Sequence, residues 1–140
     1  DIAINKILKV KRKNSNIRCS TLHFKIDKIE DLHNKSVGKL VLDKNDNIMY
    51  CSRNCIPSNK KGEYDLKKCT YFGHIGLFVF DKEYLLNSYM GENTMLQLEE
   101  DIEWLKILEQ GYRITSSCVD SYEIGVNLPE DYQYLLDKYC

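Results

Sequence analysis

No stretch of this sequence approaches the roughly 20 consecutive apolar residues that cross a bilayer, and no charged-then-apolar opening of signal type is present. An excess of one charge is missing too: 20 Lys and Arg stand against 21 Asp and Glu, a formal charge of −1. Neither a nucleic acid nor an anionic membrane is therefore an expected partner. Glycine is scarce, at seven residues, and forms no phosphate-cradling cluster; neither a P-loop nor a G-x-G-x-x-G pattern occurs. Internal repeats and low-complexity tracts are absent, which excludes solenoids and compositionally disordered chains.

What is present fits a single domain. A chain of 140 residues can bury one core but not two. Hydrophobic residues at 43% and charged residues at 29% are ordinary for a soluble globular protein, and nothing marks secretion, so a cytoplasmic location is expected. The basic run from Lys9 to Lys13 reads as a solvated helix end with cations set against the helix dipole. Six cysteines (Cys19, Cys51, Cys55, Cys69, Cys118 and Cys140) are irregularly spaced, so reduced thiols are expected rather than a disulfide framework. Cys51 and Cys55 lie four apart on a strand-like run, unlike the paired tight loops of a zinc knuckle. Because the sequence opens on Asp1 rather than Met, a piece processed or excised from something longer is the expectation.

Apolar spacing predicts a helix over 2–13 and an alternating strand over 17–26. A short helical turn follows at 27–33. The runs 39–43 and 48–53, joined by Lys44-Asn45-Asp46-Asn47, predict a β-hairpin, since Asn and Asp tolerate left-handed backbone angles. Pro57 ends it, and 58–68 is polar, lysine-rich and expected to be mobile. The most apolar stretch, 70–80, predicts a strand buried on both faces. Asp81 is expected to cap a short helix through Tyr89. A longer helix is expected over 95–110, its stripe being Leu98, Ile102, Leu105 and Leu108, with Gly111 as its stop. A strand at 112–119 and a last helix after Asn127 and Pro129 complete an α/β pattern.

Four ordered segments carry a resemblance: Lys39-Leu40-Val41-Leu42-Asp43 with Tyr50-Cys51-Ser52-Arg53-Asn54-Cys55-Ile56-Pro57; Gly73-His74-Ile75-Gly76-Leu77-Phe78; Ile102-Glu103-Trp104-Leu105-Lys106-Ile107-Leu108; and Gly125-Val126-Asn127-Leu128-Pro129-Glu130-Asp131. Together they resemble the 3-deoxy-manno-octulosonate cytidylyltransferases (CMP-Kdo synthetases), which read roughly K-V-V-L-D, Y-F-S-R-x-x-I-P, R-H-[IL]-G-[IL]-Y, L-E-Q-L-R-[VI]-L and G-V-D-T-P-E-D. The similarity begins near residue 17 and runs through nearly the whole chain. It implies a partial doubly wound, Rossmann-like nucleotidyltransferase sheet, with residues 1–140 as one domain matching the C-terminal half of such an enzyme. It also implies a projecting hairpin arm at 39–57 that forms a homodimer.

The family joins CTP to a sugar acid with magnesium, giving the CMP-sugar and pyrophosphate, and its CTP loop and first metal-binding aspartate lie in the N-terminal half. The resemblance therefore implies that this chain supplies a sugar-acid pocket: Arg53 for the carboxylate, with His74, Phe78, Gln97, Glu103 and Trp104 around the sugar. On the residues alone, Arg53 reads as a surface arginine, His74 as a core histidine and Glu103 as an exposed helix acid. Four positions depart from the family. Phe78 replaces a tyrosine, Trp104 a glutamine, Gln97 a glutamate, and Asn127 the aspartate taken as the second magnesium ligand, where an amide should weaken the site. Three readings follow: a CTP:sugar-acid cytidylyltransferase; a diverged, non-catalytic interaction or regulatory module; or another α/β nucleotide-sugar enzyme such as a glycosyltransferase.

Overall fold

The structure is a computed structural model that describes residues 2–13, 17–120 and 129–139. Its elements are α1 (Ile2–Lys13), β1 (Cys19–Lys25), α2 (Ile29–His33), β2 (Lys39–Leu42), β3 (Ile48–Ser52), β4 (Phe72–Phe80), α3 (Lys82–Tyr84), α4 (Met95–Glu100), α5 (Leu105–Glu109), β5 (Ile114–Val119) and α6 (Pro129–Tyr139). The strands form one mixed sheet in the order β3-β2-β4-β1-β5. Only β1 and β5 run parallel; the other pairs are antiparallel. The expected α/β class and mixed sheet are thus present.

Apolar side chains on the two sides of the sheet make two clusters. One joins Cys19, Leu40, Ile48, Cys51, Trp104, Leu105, Ile107 and Ile114. The other sets Ile7 of α1 and Leu32 of α2 against Leu22, Phe24, Tyr71 and Val119. Ile7, Leu22, Leu32 and Leu105 are almost wholly buried, and each such side chain contributes about 1.5–3 kcal/mol of transfer free energy. β1 is inaccessible at every position but Lys25.

Three expectations need correction. The run at 70–80 is a strand, but it is not buried on both faces: within β4 only Gly73 is buried, while Gly76 and Leu77 are exposed. Between the pairs Ser20–Val79 and Leu22–Ile75, three residues of β4 (Gly76, Leu77, Phe78) oppose Thr21 alone, a bulge that swings the strand outward. The helix expected over 95–110 is two helices. Asp101 takes a left-handed backbone (φ 53°) and ends α4, and Trp104, Leu105 and Ile107 are then buried by a separate turn. Leu98, placed on the buried stripe, is 65% exposed because it precedes the break. Gly111 (φ 81°) ends α5 as expected.

The hairpin forms as predicted but does not project. Asp43 holds its turn by accepting from the backbone of Asn45 (2.8 Å) and Asn47 (2.9 Å) and from the Asn47 amide (2.9 Å). Its tip bends across to β5, where the Ser116 amide donates to the Asp46 carbonyl at 2.8 Å and Asn47 bridges Thr115. Leu40, Ile48 and Cys51 are apolar, and the chain's own core covers them. Asp81 caps α3 by accepting from the Tyr84 amide at 3.0 Å, and a π-helical turn continues from Leu85 to Tyr89. Residues 58–68 form turns without helix or strand. Asn127, the expected cap and metal position, lies outside the described residues.

Candidate functional site

Arg53 leaves the end of β3 and reaches across to the break between α4 and α5. Its Nη2 donates to the Asp101 carbonyl at 2.7 Å, and its Nη1 reaches the carbonyls of Lys35 and Ser36, both at 3.3 Å. The Asp101 bond fits helix chemistry: the last carbonyls of a helix have no partner within it, and a cation there also meets the negative end of the dipole. Glu100, the last residue of α4, fixes the same point from below. Its carboxylate accepts from the Arg53 amide (3.1 Å), the Ser52 hydroxyl (3.0 Å) and the Tyr50 hydroxyl (3.2 Å). Lys35, Ser36, Arg53, Glu99, Glu100 and Asp101 together line a shallow hollow.

His74 lies on β4, on the side that faces Trp104 and Phe78. Burial, then the nearby Arg53 charge and then His23, hold its pKa down at about 4, so the imidazole is neutral near pH 7. Its Nε2 is 2.9 Å from the Thr21 hydroxyl, which also lies 3.1 Å from the Ile75 carbonyl and 2.9 Å from the Leu77 carbonyl. The single hydroxyl proton goes to a carbonyl, so Thr21 accepts from His74 Nε2–H, and Nδ1 is left as an acceptor. The ring packs 4.9 Å from Trp104 and 5.2 Å from Phe78, which themselves stand 6.0 Å apart.

The structure thus brings His74, Phe78 and Trp104 into direct contact and sets Arg53 within electrostatic reach of His74. Two other expected residues go elsewhere. Gln97 is occupied at the start of α4, its amide donating to Asn93 (2.9 Å) while its oxygen accepts from the Thr94 backbone (3.4 Å). Glu103 stands exposed in the turn after α4 rather than on a helix, and its charge is felt by Tyr89. Among the described residues no group of three or more His, Cys, Asp or Glu is placed to hold a metal ion.

Three residues that matter here had no signal in the sequence. Glu100 sits in the run Glu99-Glu100-Asp101, which looks like a solvated helix face. Thr21 looks like any strand threonine. Lys39 is fully buried, its ammonium donating to the carbonyls of Asn34 (2.9 Å) and Val37 (2.6 Å); desolvation lowers its pKa below that of an ordinary lysine.

No protein-family model matches the chain. Among solved structures, a CMP:2-keto-3-deoxy-manno-octonic acid synthetase complexed with CTP superposes with a TM-score of 0.82 at 22% identity, over 98% of this chain and 56% of that one. The chain therefore shares the α/β fold of that synthetase over the part that superposes. In sequence the chain is 42% identical over 111 residues to a 3-deoxy-manno-octulosonate cytidylyltransferase of Protochlamydia amoebophila, covering 79% of this chain and 42% of the relative. It is 30% identical over 142 residues to that of Geotalea uraniireducens (96% and 57%) and 40% identical over 104 residues to that of Zea mays (74% and 35%). The chain is thus a relative of the 3-deoxy-manno-octulosonate cytidylyltransferases, corresponding to a C-terminal portion of them. It spans about half or less of the length of these relatives, from 35% to 57%.

Proposed function

We propose that this chain forms the sugar-acid side of a CTP-dependent cytidylyltransferase that activates a Kdo-like sugar acid to its CMP-sugar. The observation that carries the reading is the anchored Arg53 guanidinium, close enough to lower the pKa of a neutral His74. Three of the five arginine N–H donors are engaged by backbone carbonyls, which leaves two for a carboxylate. A guanidinium already held in place loses little freedom when it binds, so it recognises a sugar-acid carboxylate at low entropic cost. His74 Nδ1 can accept from a sugar hydroxyl, and because the ring is uncharged it does not compete with Arg53 for the carboxylate. Phe78 and Trp104 hold that ring in place.

CTP and its phosphates belong to the portion of the relatives that this chain does not span. Any magnesium would be held chiefly there, with Asn127 a weak contributor at best. We further propose a homodimer in the cytoplasm, with the 39–57 segment at the interface. The contact would be made along the outer edge of β3, where Met49 is 63% exposed, rather than by a projecting arm.

The test is pyrophosphate release by the full-length protein with CTP, magnesium and candidate sugar acids. Arg53→Ala should cost about 2 kcal/mol in kcat/KM, roughly thirtyfold, because it removes a charge-assisted, two-pronged hydrogen bond to the carboxylate. Release that is absent with every sugar acid would overturn the reading. A second reading, a non-catalytic relative, is favoured by one observation: Trp104 is only 5% exposed, and its indole fills space beside His74 that the family gives to a glutamine.

A further inference from the structure

Across the sheet edge from the Arg53 hollow, a second group of reactive side chains gathers where β3 gives way to the 54–71 loop. Cys55 is half-buried; its thiol donates to the Leu32 carbonyl at 3.1 Å, and its Sγ lies 3.5 Å from His33 Nδ1, which the S–H reaches by rotating about the Cβ–Sγ bond. The His33 ring is held edge-on by Tyr64 at 5.4 Å, and Tyr64 in turn meets Tyr71 at 6.2 Å. The buried ammonium of Lys39, which its carbonyl partners keep in place, interacts electrostatically with Cys55. Cys69, at the far end of the loop, donates to the Thr70 carbonyl at 3.7 Å, and burial and then the nearby Cys69 thiol raise the pKa of the Tyr71 phenol, to which Cys55 also contributes. The loop's ends are close because Lys39 pairs with Ser52 on one side and with Gly73 on the other. Two strand spacings, about 10 Å, therefore separate the points where the chain leaves and re-enters the sheet.

A thiol with an oriented imidazole at its side and a fixed cation nearby is the arrangement that makes a cysteine nucleophilic. The other described cysteines sit differently: Cys69 is half-buried with its thiol on the Thr70 carbonyl at 3.7 Å. Cys51 is buried with its pKa raised to about 12, Cys19 is wholly buried, and Cys118 is exposed but faces Asp120, whose charge together with burial raises its pKa.

We propose that Cys55 is a thiol-modification site that forms mixed disulfides with small disulfides of the glutathione class, His33 acting as its base. In that step His33 Nδ1 takes the Cys55 proton, and the thiolate sulfur attacks one sulfur of the small disulfide. The S–S bond of the reagent breaks as the new one forms, and the departing thiolate takes up the proton. Two thiol-level sulfurs are exchanged with no net change in electrons, so no further oxidant is needed. The adduct sits two residues from Arg53, at the mouth of the loop. This inference does not depend on the proposed sugar-acid function, since it can be read on the chain without CTP.

The test treats the reduced chain with glutathione disulfide at neutral pH and follows each cysteine by peptide mass spectrometry. Cys55 should acquire the glutathione adduct roughly tenfold or more faster than Cys118 within the same molecules, the gain expected of a positioned base. His33→Phe, which keeps the aromatic contact with Tyr64, should bring the Cys55 rate down to that of Cys118 and leave Cys118 unchanged. Adduct formation at Cys55 no faster than at Cys118 in the unmodified chain would overturn the proposal without recourse to any variant. So would a His33→Phe chain, folded by circular dichroism, that reacts at Cys55 as fast as the parent.

Discussion

β1 and β4 lie side by side and pair along their length, yet they live in different surroundings. β1 reads as an alternating strand and is buried at every position but one. β4 is the more apolar of the two in sequence, and it has one buried residue, a glycine. The difference lies in what flanks them. β1 has β4 on one side and β5 on the other, with α1 packed over it. β4 is held along its length by β1 but meets β2 only at Phe72 and Gly73, so from Ile75 onward no described strand pairs with its other edge. Apolar composition records what a strand is suited to cover; neighbours decide whether it is covered. In β4 the half-covered stretch includes Phe78, one of the residues packed against His74.

The contrast can be broken most sharply by truncation. Leu22→Ala in β1 should cost about 3 kcal/mol by urea denaturation, the usual range for a buried leucine, whereas Leu77→Ala in β4 should cost well under about 1 kcal/mol. Equal costs would mean that β4 is covered after all.

A comparable effect should come from acid. His74 has its folded pKa depressed to about 4 against 6.5 unfolded, so the unfolded chain binds the proton first as pH falls. Its contribution is intact above pH 6.5 and is lost progressively between pH 6.5 and 4, by at most about 3 kcal/mol. His23, also lowered chiefly by burial, adds to the loss in the same direction. Denaturant midpoints at pH 7.5 and 5 should therefore differ, and His74→Gln should remove much of the difference.

Two glycines in one strand sharpen the comparison further. A Cβ at Gly73 would lie 2.4 Å from the Phe24 ring, while one at Gly76 would meet nothing within 4 Å. Gly73→Ala should thus destabilise by about 2 kcal/mol through overpacking, and Gly76→Ala should leave the melting temperature almost unchanged. Glu100→Gln should cost about 1 kcal/mol, because an amide oxygen can keep the two bonds from the Ser52 hydroxyl and the Arg53 backbone amide but loses their charge assistance and the bond from Tyr50.

The sequence made local features legible wherever the cause was local. The helix at 2–13, the Asp43–Asn47 turn, the Asp81 cap and the Gly111 stop each depend on residues within a few positions. The break at Asp101 does not: Ile102 and Leu105 continue a helical stripe, and the left-handed residue is held by an arginine 48 positions earlier. The same distance in sequence hid Glu100, whose three partners are all on β3 and its end. Gln97 was assigned to the pocket by analogy with a family glutamate, but it is taken up by capping contacts with Asn93 and Thr94, four and three positions away. Of the site, the aromatic pair with His74 and the arginine were legible through resemblance; the contacts that fix their geometry were not.

The central claim is that Arg53, already anchored, receives a sugar-acid carboxylate next to a neutral His74. Nitrogen-15 NMR of the full-length protein during titration with 3-deoxy-manno-octulosonate observes both groups. The account predicts a saturable shift of the Arg53 Nε–H resonance, with His74 remaining a neutral Nε2–H tautomer at pH 7. Saturable binding that leaves Arg53 unmoved, or an imidazolium at His74, would contradict it.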